Sequence, residues 1–169
     1  MENLTSEFAK EHGICVRFAE AADIPRIDEL LNQVNKVHHD IRPDLFRLGR
    51  KYSDEELVAI LKDPKRPIFC AADAKTNKLL GYCMTEFQQI LGDSIRTEIK
   101  TIYIDDLCVD EEARGRHLGQ ILYDTVKAYG KAHDFYNITL HVWEGNDRAA
   151  GFYAAMGMKT QYTCLEERL

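Results

Sequence analysis

Apolar positions along the chain change period several times, and each change marks an element. Residues 14–20, ICVRFAE, alternate apolar and polar and predict a strand. Asp23 precedes Pro25, a helix-start pattern. Ile24, Ile27, Leu30, Leu31, Val34 and Val37 then recur at helical spacing, which predicts a helix to about His38. His38-His39-Asp40 and Arg42-Pro43-Asp44-Leu45-Phe46 follow, and proline disfavours helix in the residue before it, so this stretch reads as a loop. Ser53 and Glu56 have the spacing of a capping box ahead of a short helix, Asp54 to Lys62, which Pro64 and Pro67 close.

Ile68 to Ala72 and Leu79 to Ile90 read as strands joined by the polar turn Lys75-Thr76-Asn77-Lys78. After a turn at Gly92-Asp93, Thr97 to Val109 reads as a long strand, so the three together form an antiparallel meander. The alternation of the long strand slips at Asp105-Asp106, where a bulge or splay is the physical remedy. Leu118, Ile121, Leu122, Val126, Tyr129 and Ala132 predict a helix from about His117 to His133. Ile138 to Trp143 reads as a strand. Asn146-Asp147 can cap a last helix that Gly157 stops, and Met158 to Leu169 reads as a final strand region. The order describes one mixed α/β domain over 14–169, preceded by a polar segment, 1–13.

Composition narrows the class. No apolar run approaches the ~18 residues of a membrane span, and MENLTSEFAKEHG is neither a signal nor a transit peptide. The five cysteines are scattered, without CxxC spacing, which favours reduced thiols in a cytoplasmic protein over disulfides or zinc. His38-His39 also lacks metal-site spacing with acidic partners, so no metal is expected. A net charge of -6 argues against nucleic acid, which needs a basic footprint, and suits a cationic substrate.

The chemistry gathers at VDEEARGRHLGQ, Val109 to Gln120, where a strand feeds a glycine-bearing turn and then a helix. Free backbone N–H groups and the helix dipole make such a turn an anion site, here suited to a diphosphate. Its other reading is an ordinary strand-to-helix turn with solvated arginines.

That order of elements, with Arg114-Gly115-Arg116-His117-Leu118-Gly119 at the turn and Asn146 seven residues before Tyr153 in Gly-Phe-Tyr-x-x-x-Gly, resembles the GNAT superfamily of acyl-CoA N-acyltransferases. The family pattern is Arg/Gln-x-x-Gly-x-Gly/Ala, and His117 stands where the family usually has glycine. The resemblance implies a mixed, mostly antiparallel central sheet of about six to seven strands flanked by four helices. It implies acetyl-CoA as co-substrate, held by Arg114, Gly115, Arg116, His117, Leu118, Gly119 and Gln120 at the turn. Leu107, Cys108 and Val109 would pair with its pantetheine arm like an added strand, and Asn146 would bind further along. The His117 ring either swings outward or, if protonated, pairs with phosphate.

Acyl transfer to an amine also needs a polarised carbonyl, a base and an acid. The Cys108 N–H is the expected polarising donor, with its thiol structural. Asp105 is the expected base, Asp106 the second choice, with Glu86 and Glu98 further carboxylates; alternatively the aspartates stabilise the bulge or hold the substrate cation. Tyr153 is the expected acid, protonated at neutral pH with a phenol pKa near ~10. The resemblance places the acceptor, a small-molecule or peptide amine, against His38 to Phe46 and the turn before the long strand, with Phe46 and Tyr52 as lining. His141, mid-strand beside Trp143, reads as a packed or hydrogen-bonded residue. Homodimers are common among such proteins. The competing reading is a non-catalytic acyl-CoA-binding regulatory or interaction module on the same fold.

Overall fold

The computed structural model describes residues 4–169; the first three residues of the polar N-terminal segment lie outside it. Its elements are α1 (Glu7–Glu11), β1 (Ile14–Phe18), α2 (Ile24–Ile41), α3 (Asp54–Lys62), β2 (Ile68–Asp73), β3 (Leu79–Gln89), β4 (Lys100–Val109), α4 (Leu118–Ala132), β5 (Asn137–Leu140) and α5 (Asp147–Ala155). Short 3-10 turns at Ala21–Asp23 and Glu111–Ala113 introduce α2 and follow β4.

One sheet of order β1-β2-β3-β4-β5 carries the domain. The first four strands are an antiparallel meander, and α4 returns the chain so that β5 lies parallel to β4. A core sits on each face. On one, Leu118, Ile121, Leu122 and Val126 of α4 pack on Ile14, Phe69, Ile102 and Ile104. On the other, Ile27, Leu30 and Leu31 of α2 and Leu57 and Ile60 of α3 pack on Ile68, Cys70, Tyr82 and Cys108. Both helical faces follow the spacing that the sequence carries.

Local signals position these helices. Ser53 and Glu56 make the expected reciprocal cap of α3. Asp23 stands at the start of α2, but its carboxylate is turned away from the helix. It accepts two hydrogen bonds from Arg17 (2.6 and 2.9 Å) and one from the Glu20 N–H (2.8 Å), fastening β1 to the helix start.

The expected count of six to seven strands and four helices is corrected to five strands and five α-helices among the described residues. The extra helix, α1, is a five-residue turn in the polar segment, capped by Ser6 and buried through Ala9 alone, too short to show a period. The strand expected at Ile138–Trp143 keeps only its first half, because β4 stops pairing with it at Leu140. Met158–Leu169 forms no strand. That tail is tied by side chains: Tyr162 to His141 (2.7 Å), Glu166 to Arg42 (3.0 Å) and Arg168 to Asp44 (3.0 Å).

Gly81 shows how closely β3 and β4 approach. A Cβ there would lie 2.8 Å from the Cys108 carbonyl oxygen, and that oxygen belongs to backbone that cannot swing aside. Gly81→Ala should therefore cost about 1–3 kcal/mol in denaturant unfolding, the usual range for overpacking. An unchanged midpoint would show that β4 yields freely at this point.

Candidate functional site

β4 is the strand on which the site is built. It pairs with β3 along its length but with β5 only from Thr101 to Ile104. Met84 faces Asp106 while Thr85 faces Ile104, so Asp105 is an extra residue, a bulge where the sequence alternation slips. The bulge exchanges the faces of the strand. Ile102 and Ile104 point into the α4 core, whereas Cys108 points into the α2–α3 core. Asp106 shares that second face and meets Lys51 of the loop between α2 and α3.

Beyond Ile104 the β5 side of β4 is uncovered by any strand among the described residues. Parity decides which amides reach that edge. The Asp110 N–H donates to the Leu80 carbonyl (2.9 Å), so alternate residues Cys108 and Asp106 also turn their amides to β3. Leu107 and Val109 turn theirs to the open edge. This corrects the expectation that the Cys108 N–H is the free donor. The Cys108 thiol is likewise committed: it donates to the Leu30 carbonyl (3.3 Å), and burial pushes it up to about 12, leaving no thiolate at neutral pH.

The chain leaves β4 through Asp110 and a 3-10 turn, then runs Arg114, Gly115, Arg116 and His117 into α4. Gly115 has φ +81° and His117 has φ +59°, both left-handed. Glycine adopts that conformation freely, and histidine at the family's glycine position holds it under strain. The His117 ring leaves the turn and packs edge-on against His12 (5.0 Å) and Phe8 (5.9 Å) of α1. Of the two expected ring positions, the outward one is found, against a helix the sequence did not reveal. The Ile121 N–H is bonded to the His117 carbonyl (2.9 Å), so the amides ahead of it, through Leu118, Gly119 and Gln120, have no carbonyl within the helix to pair with. Arg114 pairs with Glu111 (3.1 Å) and Arg116 with Asp73 (3.4 Å), both within reach of an anion at the turn. Gly119 is small for a packing reason: a Cβ would meet the Phe152 ring of α5 at 3.3 Å.

A cleft of about 350 Å³ opens where β4 and β5 part. Asp105, Asp106, Lys51, Tyr153, Asn146 and His38 line it, with Phe46 and Trp143 as an aromatic wall whose rings meet at 5.3 Å. Asn146 also caps α5, accepting from the Ala149 N–H (3.2 Å). Lys51 Nζ lies 3.2 Å from Asp105 and in closer contact with Asp106, and the Tyr52 hydroxyl lies 3.3 Å from Asp105. A second chain of polar groups, Tyr103 to His141 (3.1 Å) to Tyr162 (2.7 Å), leads from β4 to the surface.

The electrostatics follow from burial. Burial pushes the Asp106 carboxyl above the usual carboxylate range against the pull of Lys51. Burial opposes the Lys51 ammonium, yet Asp106 and Asp105 together hold it well above the usual lysine range. Burial lowers His38, with Asp106 in opposition, so it is neutral at pH 7. Burial also holds the Tyr153 phenol far above its usual range, with Cys83 and Asp106 adding to the effect.

Of the residues singled out in the sequence, Asp105, Asp106, Tyr153 and Asn146 meet in this cleft, and His38 and Phe46 line it as the resemblance implied. Tyr52 touches Asp105 from the side of α3. The turn between β3 and β4 contributes no lining residue. Glu86 only accepts from Gln88 (3.4 Å), and Glu98 braces the turn through the Gly92 N–H (2.9 Å). Sequence reading missed Lys51 and Trp143; His141, expected to be packed or hydrogen-bonded, is bonded to Tyr103 and Tyr162. No local pattern marks a lone lysine in a loop, and its importance comes wholly from the aspartates it faces. Among the described residues no group of three or more side chains could hold a metal ion, and no helix is long and apolar enough to cross a membrane.

Residues 34–158 match the model of the Acetyltransferase (GNAT) family. Among solved structures, a mutant of the BH1408 protein from Bacillus halodurans is 32% identical with a TM-score of 0.87, the match covering 91% of this chain and 98% of that one. An aminoglycoside acetyltransferase from an uncultured soil metagenomic sample is 17% identical with a TM-score of 0.72, covering 94% and 98%. Glucosamine-6-phosphate N-acetyltransferase from Arabidopsis thaliana is 19% identical with a TM-score of 0.67, covering 92% and 97%. At those identities the last two share the fold. Comparison with curated proteins returns no match.

Proposed function

Because this chain belongs to the GNAT family of acetyltransferases, we propose that it moves an acetyl group from acetyl-CoA to a primary amine by direct attack on the thioester. The observation that carries this reading is the uncovered edge of β4, which runs between the α4 start and the cleft. The residues fit the co-substrate end to end. The amides of Gly115 to Gln120, with Arg114 and Arg116, suit a diphosphate. The Leu107 and Val109 amides suit an extended arm bearing peptide groups, which would lie against the edge as an added strand. Asn146, at the start of α5 and in the same cleft, would bind further along the co-substrate.

The reaction then uses groups already in the cleft. A Leu107 or Val109 N–H polarises the thioester carbonyl, a fixed donor where negative charge develops. Asp106, more deeply buried than Asp105, takes the proton of the acceptor ammonium, and Asp105 holds the cation. This reverses the order of the two aspartates expected from sequence. Both aspartates line the cleft, and burial raises the affinity of Asp106 for a proton, as a base working near neutral pH needs. Tyr153 gives its proton to the leaving sulfur. Burial makes an isolated phenol a poor acid, but the thiolate forms in the same dry cleft and its proton affinity rises in parallel.

Two carboxylates against one lysine leave the cleft suited to a single cation, and the Phe46–Trp143 wall suits an apolar body behind it. The aminoglycoside and glucosamine-6-phosphate enzymes of similar fold act on amines, which agrees with the acceptor class. A cytoplasmic setting suits the five free thiols. A module that only bound acyl-CoA would use the edge and the turn but has no need of an acid and two carboxylates in one cleft.

Binding is tested by melting temperature with saturating acetyl-CoA and with NAD as control. A ligand at a hundredfold over Kd adds about 2.7 kcal/mol, which raises Tm by roughly 5–10 °C in a chain of this size. A rise with acetyl-CoA alone, followed by thiol release in an amine panel, supports the transferase. No rise with acetyl-CoA overturns it, and a rise without release across the panel favours the binding module.

A further inference from the structure

If Asp105 and Asp106 serve the acceptor amine, the position they serve is already filled by an amine of this chain. Lys51 Nζ is a primary amine 3.2 Å from Asp105 and closer to Asp106, in the cleft that Tyr153 also lines. We propose that the protein acetylates itself on Lys51. This rests on the transferase reading and deepens it by naming a first acceptor and a means of self-regulation.

The loop presents Lys51 firmly. On one side Arg50 bonds Asp28 of α2 (2.7 Å) and pairs with Asp54 at the start of α3. On the other, Tyr52 reaches Asp105 and Ser53 caps α3. Further back, the Asn35 side chain donates to the Arg47 and Gly49 carbonyls (3.0 and 2.9 Å). A nucleophile held in this way needs no encounter, and its attack is intramolecular once the thioester is bound. The Lys51 side chain is 33% exposed and Asp106 only 3%, so Lys51 lies against a buried carboxylate in the cleft lining while part of its own side chain stays accessible.

The step balances. The Lys51 ammonium gives one proton to Asp106, which passes it to solvent. The freed amine attacks the thioester carbonyl carbon; the N–C bond forms and the C–S bond breaks. The sulfur leaves as thiolate and takes the Tyr153 proton, and a second proton from the nitrogen restores Tyr153. The third stays on the amide. Because the two carboxylates hold the ammonium form strongly, the neutral amine is scarce and the event is slow, one turnover per chain. Its product carries no charge, leaves Asp106 without its cation and fills the acceptor position. Self-acetylation thus stops transfer to other amines, and a saturating external amine that displaces Lys51 protects it.

The test is intact mass and peptide mapping of the full chain incubated with acetyl-CoA and no acceptor. The expected result is one acetyl group per chain, on Lys51, at a first-order rate unchanged by protein concentration and about tenfold or more above that of the other lysines, as an intramolecular advantage requires. Tyr153→Phe should slow the Lys51 modification and leave the background on other lysines as it was. Lys51→Arg, which keeps the cation beside Asp106, should lose the modification while its melting temperature confirms the fold. Modification of Lys51 no faster than surface lysines, or at a rate that grows with protein concentration, overturns the proposal. If that result comes with a rise in Tm and amine-dependent thiol release, self-acetylation alone fails. If it comes with neither, the transferase reading fails with it.

Discussion

Replacing Tyr153 with phenylalanine should lower turnover with an amine acceptor by about a hundredfold or more, the usual range for a lost general acid, while acetyl-CoA affinity stays as it was. The substitution deletes one hydroxyl from α5, and the ring keeps its packing against Phe152 (5.0 Å) and Tyr123 (6.3 Å). None of the groups proposed to hold the diphosphate or the pantetheine arm includes that hydroxyl, so binding has no reason to change. The pH profile adds a second check. An ordinary phenol loses its proton near ~10, but burial holds Tyr153 far above that. The wild-type rate should therefore rise from acid pH as Asp106 and the acceptor lose protons, and show no fall through the ordinary phenol range. Steady-state kinetics beside a binding titration decides the matter. Unaltered turnover in the variant removes Tyr153 from the mechanism, and a descending limb near ~10 shows an acid in ordinary solvent.

Arg26→Met should cost about 3 kcal/mol, the lower end of the range for stripping the partner from a buried charge, and lower Tm by about 6–12 °C. Asp110 is 2% exposed and stands one residue past β4, where the chain turns toward α4. Arg26 of α2 pairs with it and also donates to the Leu79 carbonyl at the start of β3 (3.3 Å). Gln33 of α2 reaches the same carboxylate (3.3 Å) and accepts from the Glu111 N–H (3.1 Å). This network clamps α2 to the turn proposed to hold the diphosphate, so acetyl-CoA affinity should fall with stability. Methionine preserves much of the arginine stem but leaves Asp110 a buried charge held mainly by Gln33. The sign of the pH effect follows. Burial alone would raise the Asp110 carboxyl, but Gln33 and Arg26 bring it below the usual range. Its stabilisation is present above the unfolded value near ~3.9 and is lost as pH falls through the lower folded value. The gap between wild type and variant should narrow in acid as Asp110 takes up a proton in both. Thermal unfolding at neutral and acid pH measures this, and a neutral-pH difference below about 2 °C, too small for a stripped buried charge, would show that water already solvates Asp110.

Much of this site is visible in the residues themselves. The turn proposed to hold the diphosphate shows as two glycines and two arginines between an apolar strand and a strong helical period. The bulge shows as a broken alternation at Asp105-Asp106, and the resemblance to the family singles out Tyr153 through its spacing from Asn146. These are local features, and neighbouring residues enforce them. Lys51 escaped notice because its partners lie about fifty positions further along the chain. The basis for proposing Asp106 over Asp105 was out of reach for a related reason: both are aspartates in one strand, and what separates them is the deeper burial of Asp106.

By itself the sequence determined the elements whose signals lie within a few residues: the amphipathic faces of α2 and α4, the cap of α3, the meander, and the turn before α4. Helix period, capping and turn chemistry act over one or two turns of chain, so they survive without knowledge of the fold. Only the tertiary structure decided which amides of β4 are free. That parity is set by pairing with β3 and reversed in facing by one extra residue, so Leu107 and Val109 reach the edge and Cys108 does not. It also decided that α1 exists, since a five-residue polar helix forms only where β1 and the His117 ring give it something to pack on. It decided that Met158–Leu169 is no strand: the segment pairs with no strand of the sheet and is held by side chains instead, Tyr162 on His141 and Glu166 on Arg42.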